Sequence, residues 1–107
     1  VVVPYNEICD LKGVFDCLEE PYLYEWKTGN SDSLEWARSG QVGLYFLICE
    51  LANIDVKTAY LLRYNQYQKI SDLTVIHNSK TLRDKARNTV DSVLPEMHGF
   101  FTQQGLI

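Results

Sequence analysis

Positive charge is in short supply in this chain: ten Lys and Arg stand against fourteen Asp and Glu, a formal net charge of −4. A protein that holds nucleic acid only by releasing counter-ions is basic, so a general nucleic-acid coat protein is excluded. An enzyme whose acidic side chains gather around divalent cations is not. Cysteine is also sparse. Cys9, Cys17 and Cys49 are odd in number, widely spaced and without a C-x-x-C pair, which argues against structural zinc and against a disulfide framework. They read as buried reduced thiols in an intracellular, cytoplasmic protein. No apolar run approaches the ~18 residues of a membrane span, so no membrane is expected as a partner. Val1-Val2-Val3-Pro4 is too short for a signal peptide and has no basic leader. His77 and His98 have no metal-ligand spacing with each other or with the cysteines, and read as strand-end or surface residues.

What the chain does have is a globular composition. Its 107 residues are 46% apolar, 22% charged and 12% aromatic, enough for one domain with a small core and a packed sheet. With no repeat, low-complexity tract or linker, the reading is one α/β domain over 1–107. Residues 2–10 read as an edge strand weakened by Pro4, and 13–19 and 22–27 as two strands broken at Glu20-Pro21. Residues 28–33 read as a loop with capping residues Asp32 and Ser33. Leu34, Ala37, Gln41, Leu44, Tyr45, Ile48, Leu51 and Ala52 recur at helical spacing, predicting a helix over 34–53. Gly40 and Gly43 inside it each cost ~1 kcal/mol relative to Ala, so a strand or ligand is expected to approach closely there. Strands follow at 56–64 and 67–77, then a helix at 80–94 with Leu82, Ala86, Val90, Val93 and Leu94 on its buried stripe. Pro95 ends or kinks that helix.

The two strands around Glu20-Pro21 carry charges inside apolar runs: Asp16 on the first, Glu25 and Lys27 on the second. Desolvating such charges is costly unless they are paired or bind metal. If Asp16 faces Glu25 across an antiparallel pair, Leu18 faces Leu23, and Asp16, Glu25 and Lys27 share one face. Phe15, Cys17, Tyr24 and Trp26 then form an apolar face for a helix to cover. Opposed Cα atoms lie ~4.5–5.5 Å apart, so the two carboxylates either repel or share a hard cation such as Mg²⁺ or Mn²⁺. Read alone, Glu25-x-Lys27 is equally a solvent-exposed strand pair. Gln41 and Tyr45, four apart on the helix, can reach one ligand, or serve as ordinary boundary residues. Lys80, Arg83 and Arg87 lie along one side of the last helix and fit either a phosphate backbone or a solvated face. Arg38, one turn before Gln41, is the better candidate for a DNA contact.

Taken in order, Gly13-x-x-Asp16, Glu25-x-Lys27-Thr28-Gly29 and Gln41-x-x-x-Tyr45 resemble the PD-(D/E)XK nuclease superfamily, closest to its RecB-like branch with the CRISPR-associated exonucleases. The resemblance covers residues 13–45 by motif. It implies a restriction-endonuclease-like α/β core, a central mixed sheet of about four to five strands flanked by helices, that hydrolyses DNA phosphodiester bonds with Mg²⁺ or Mn²⁺. It implies Asp16 and Glu25 as metal ligands with the Trp26 backbone carbonyl, and Lys27 as catalytic. Gln41 and Tyr45 would shape the site and contact DNA, with Arg38 beside them. It also implies an N-terminal helix with a further acidic or His residue; such a helix would precede Val1, and Glu7, the early acid present, lies in an expected strand. The three cysteines do not match the four that hold an iron–sulfur cluster in some members, so no cluster is expected. A homo-oligomer or larger nuclease complex fits the small core. The rival expectation is a catalytically inactive module of the same fold that binds nucleic acid or serves assembly.

Overall fold

The computed structural model describes residues 1–7, 9–28, 40–64, 67 and 69–105. The chain runs through β1 (Val2–Pro4), β2 (Asp10–Lys12), β3 (Cys17–Glu19), β4 (Tyr22–Thr28), α1 (Gln41–Leu51), β5 (Thr58–Tyr64), β6 (Ile70–His77) and α2 (Lys80–Gln103). β1 and β2 pair antiparallel as a small separate ribbon. The expected single strand over 2–10 is therefore two short ones, because the chain reverses between Pro4 and Asp10 through hydrogen bonds from the Tyr5 and Asn6 amides to the Cys9 carbonyl.

The main sheet is mixed, in the order β3-β4-β5-β6. β3 and β4 are antiparallel, β4 and β5 parallel, β5 and β6 antiparallel. Parallel neighbours need a crossover, and the β4–β5 connection contains α1. The β3–β4 register pairs Cys17 with Tyr24, Leu18 with Leu23 and Glu19 with Tyr22, the register expected from placing Asp16 opposite Glu25. The corner is made at Glu20-Pro21, whose peptide bond is cis. The first strand is shorter than expected: residues 13–16 lie outside it.

One row of aliphatic side chains crosses all four strands: Leu18, Leu23, Ala59 and Ile76 are successive register partners. With Leu61 they meet Val42, Tyr45, Phe46 and Cys49 of α1 in the core. The helix thus covers the face that carries Glu25, which corrects the expectation that it would cover the aromatic one. Alternation fixes which residues share a face, not which face is covered; the aliphatic row offers the helix a smooth continuous surface. Tyr22, Trp26, Leu73 and Val75, on the other face, stay exposed, while the Tyr24 and Tyr60 rings stack there at 5.5 Å. Phe15 precedes β3, escapes its alternation and packs on the α1 side.

α1 is apolar nearly all round, since it is wedged between the sheet and α2. Val42, Gly43 and every residue from Tyr45 to Cys49 are buried, a wider surface than the expected stripe. Gly40 is not within the helix: its φ of 87° is left-handed, and it caps α1 instead. The expected helical turns at 34–39, with Arg38 and the capping residues Asp32 and Ser33, lie outside the described residues. Gly43 is where a neighbour comes close, and that neighbour is α2, not a strand or ligand. A Cβ at Gly43 would stand 2.9 Å from the Leu82 carbonyl oxygen. Gly43→Ala should therefore destabilise the fold by about 1–2 kcal/mol in urea denaturation, overpacking outweighing helix propensity; a gain in stability would contradict this packing.

Ser79 caps α2 by accepting the Leu82 amide proton. Of its expected buried stripe, Ala86 is buried, Leu82, Val90 and Leu94 are half-buried and Val93 is exposed. Pro95 does not end this helix, which continues to Gln103. Proline forfeits one backbone hydrogen bond, but the following turns remain helical. No helix among the described residues is long and apolar enough to cross a membrane.

Candidate active site

The β3–β4 register delivers two carboxylates to one point. The Asp16 amide donates to Glu25 Oε1 at 3.0 Å, and the Trp26 amide donates to Asp16 Oδ2 at 2.9 Å. Glu25 is thus held by the backbone just before β3, and Asp16 by the backbone of β4. A strand residue directs its N–H and C=O to the same side, so the Trp26 carbonyl points, like its amide, toward Asp16. Asp16 is exposed, whereas Glu25 is only 6% exposed under α1. Burial pushes the Glu25 carboxyl up to about 7; the Asp16 carboxyl adds to the rise, while the Asp16 amide and Lys27 oppose it.

α1 brings the rest. Tyr45 is buried, accepts a hydrogen bond from Gln41 Nε2 at 2.8 Å and donates to the Val14 carbonyl at 3.3 Å. Burial, then the charges of Glu25 and Asp16, raise its hydroxyl pKa, against a lowering contribution from Gln41. The Phe15 ring meets Tyr45 edge-on, centroids 4.9 Å apart, and stands where a Cβ on Gly13 would lie, 2.8 Å from that position. Gly13 of the first motif therefore admits the ring that seats the tyrosine of the last. Lys27, two residues beyond Glu25 on the same face, is exposed.

Asp16, Glu25, Gln41 and Tyr45 are thus assembled on the α1 side of β4, with Lys27 beside them; Arg38 lies outside the described residues. Sequence reading did not single out Arg63. It is the parallel register partner of Lys27, and only knowledge that β4 and β5 are neighbours could have found it. Lys80, Arg83 and Arg87 of α2 each meet an acidic side chain within the chain. Lys80 pairs with Asp84 at 2.8 Å, and Arg83 with Glu50 at 2.6 Å; Arg87 lies 3.9 Å from the same Glu50. Cys49 is buried and Cys9 and Cys17 half-buried. His77 ends β6, its Nδ1 3.3 Å from Thr58 Oγ1.

Among the described residues no group of three or more His, Cys, Asp and Glu side chains comes together. The donor set at Asp16 and Glu25 nonetheless suits a hard divalent cation. Mg²⁺ typically takes one or two carboxylates, completing its shell with water and substrate phosphate, and a buried, proton-hungry Glu25 beside Asp16 is a pair that a cation would relieve. No family model matches the chain, and no curated protein or solved structure matches it either.

Proposed function

We propose that this chain is a Mg²⁺- or Mn²⁺-dependent DNA nuclease built on a restriction-endonuclease-like core of the PD-(D/E)XK type. The observation that carries the reading is that the Asp16 amide donates to Glu25 while the Trp26 amide donates to Asp16, with the hydrogen-bonded Gln41–Tyr45 pair on α1 close enough to feel both carboxylates. Motifs separated in sequence meet at one place, in the order the resemblance requires. The mixed four-strand sheet, whose parallel pair is joined through a helix, is compatible with such a core.

Asp16, Glu25 and the Trp26 carbonyl would hold the cation. When bound, it supplies Lewis-acid stabilisation of charge on the phosphoryl oxygens and makes a water more acidic. Lys27 places a positive charge where the attacked phosphate gains negative charge, and helps to hold the attacking water. Tyr45, kept protonated by burial, presents a neutral hydroxyl whose orientation Gln41 and the Val14 carbonyl set. α1, by burying Glu25, keeps bulk water from that side of the carboxylate pair.

The test is cleavage of single- and double-stranded DNA with Mn²⁺, with Mg²⁺ and in EDTA. Cleavage should need the cation, vanish in EDTA and fall in Asp16→Asn. Undiminished cleavage in EDTA overturns the reading. DNA binding without cleavage on any substrate would replace it by an inactive module of the same fold.

A further inference from the structure

The outer face of the main sheet takes no part in the candidate site. α1 covers the opposite face and α2 packs on α1. Register partners lay the outer face out in three rows. Trp26, Leu62 and Leu73 form the first, and Cys17, Tyr24, Tyr60 and Val75 the middle one. Glu19, Tyr22, Thr58 and His77 form the third, running from the β3 edge to the β6 edge. Tyr22, Trp26, Leu73 and Val75 are each between 39% and 53% exposed. The Tyr60 ring lies 5.5 Å from that of Tyr24 and 5.8 Å from that of Tyr22, so the rows join into one aromatic surface.

The chemistry of this surface selects its occupant. The three rows contain no Lys or Arg; the strand cations Lys27 and Arg63 belong to the other alternation set. Phosphate-bearing partners are held by such cations, so neither a nucleic acid nor an anionic lipid surface fits. What fits is an apolar face that offers a polar donor opposite Glu19 and an acceptor opposite His77, both exposed. Thr58 Oγ1 engages His77 Nδ1 at 3.3 Å, which leaves Nε2 to meet a carboxylate from outside. A second copy of the same face meets both needs. A two-fold axis along the strands, between β4 and β5, lays β3 over the partner's β6 and β4 over the partner's β5. Glu19 then faces the partner's His77, and the partner's Glu19 faces His77. In the middle row Tyr24 faces the partner's Tyr60, and Cys17 faces the partner's Val75. An axis across the strands would instead set both ionisable ends against the end of the Trp26 row, without a partner.

The size is also that of an interface. The exposed parts of the apolar side chains in the three rows come to about 500 Å², at the upper end of what monomers leave bare. With Glu19 and His77 the face nears the ~800 Å² that each partner gives to a standard interface, with an apolar centre and a polar rim.

We infer that this chain forms a symmetric homodimer through the outer face of its sheet, two sheets packed face to face with the two-fold axis along the strands. The carboxylates at Asp16 and Glu25 of the two copies then lie on opposite outer flanks and stay open.

The experiment is sedimentation velocity of the chain over a concentration series up to about 1 mM, where even a Kd in the millimolar range shows. Wild type should reach twice the 12.4 kDa of one chain, with a Kd of about 10 μM. Val75→Glu should raise Kd at least hundredfold, since two charges are then buried in each dimer. Glu19→Lys, on an exposed side chain, should raise it about tenfold, and adding His77→Glu should restore it to within about threefold. Circular dichroism melts establish that each variant is folded. Wild type that stays monomeric at 1 mM overturns the inference. So does a dimer that folded Val75→Glu and Glu19→Lys leave intact, which would place the contact on another face. A charge exchange that fails to restore the dimer overturns the axis along the strands. DNA cleavage does not enter the readout, so these outcomes are separate from the fate of the nuclease reading.

Discussion

Glu25→Gln should abolish metal-dependent cleavage and, in the same protein, raise stability at pH 8. The carboxyl of Glu25 is driven up to about 7, first by burial, from an unfolded value near 4.3. The folded state therefore binds the proton more tightly than the unfolded one. Stability from this group is complete below the unfolded value and is lost as pH rises through the folded one. At pH 8 the cost of the buried charge is on the order of 2–3 kcal/mol, a large share of the 5–15 kcal/mol typical of a domain. Glutamine is neutral at every pH and its amide oxygen can still accept the Asp16 N–H. Urea denaturation in EDTA should show Glu25→Gln more stable than wild type at pH 8, with the gap closing toward pH 4. Adding Mn²⁺ at pH 8 should stabilise wild type and not the variant, since only the carboxylate pair gains a ligand. A gap that does not change with pH would show that the charge of Glu25 has another partner.

This stability cost is the physical form of what made the hairpin legible from sequence. Asp16, Glu25 and Lys27 interrupt apolar strands, and period-two alternation puts them on one face; the observed register keeps Leu18 opposite Leu23 as derived, while Asp16 itself lies just before β3. Gln41 and Tyr45 were legible for the same reason, since helical spacing places residues four apart together, and they are hydrogen-bonded. What alternation could not supply was tertiary choice. Nothing within Phe15-to-Trp26 says whether the aliphatic or the aromatic face meets the helix; that depends on Ala59, Leu61 and Ile76 arriving from strands far along the chain. The parallel pairing of β4 with β5 is equally non-local, and with it went Arg63. Helix ends follow local geometry that outweighs pattern: a left-handed Gly40 opens α1, and α2 runs on past Pro95, a residue expected to end or kink it.

Lys27→Ala should reduce kcat for DNA cleavage by about 10²–10³-fold, the usual cost of removing one preorganised electrostatic group from a site where charge develops. The fold should hardly notice. Lys27 is exposed near the end of β4, and substitutions at such positions shift stability by only about 0.5 kcal/mol. One indirect effect is predictable in sign: Lys27 lowers the proton affinity of Glu25, so its loss moves the Glu25 carboxyl further up and weakens cation binding near neutral pH. Titrating Mn²⁺ to saturation at pH 8 separates the two, because the affinity effect disappears with excess cation and the kcat effect does not. Cleavage by Lys27→Ala equal to wild type at saturating Mn²⁺ would remove the lysine from the chemistry, and with it the assignment of Glu25-x-Lys27 as the catalytic motif.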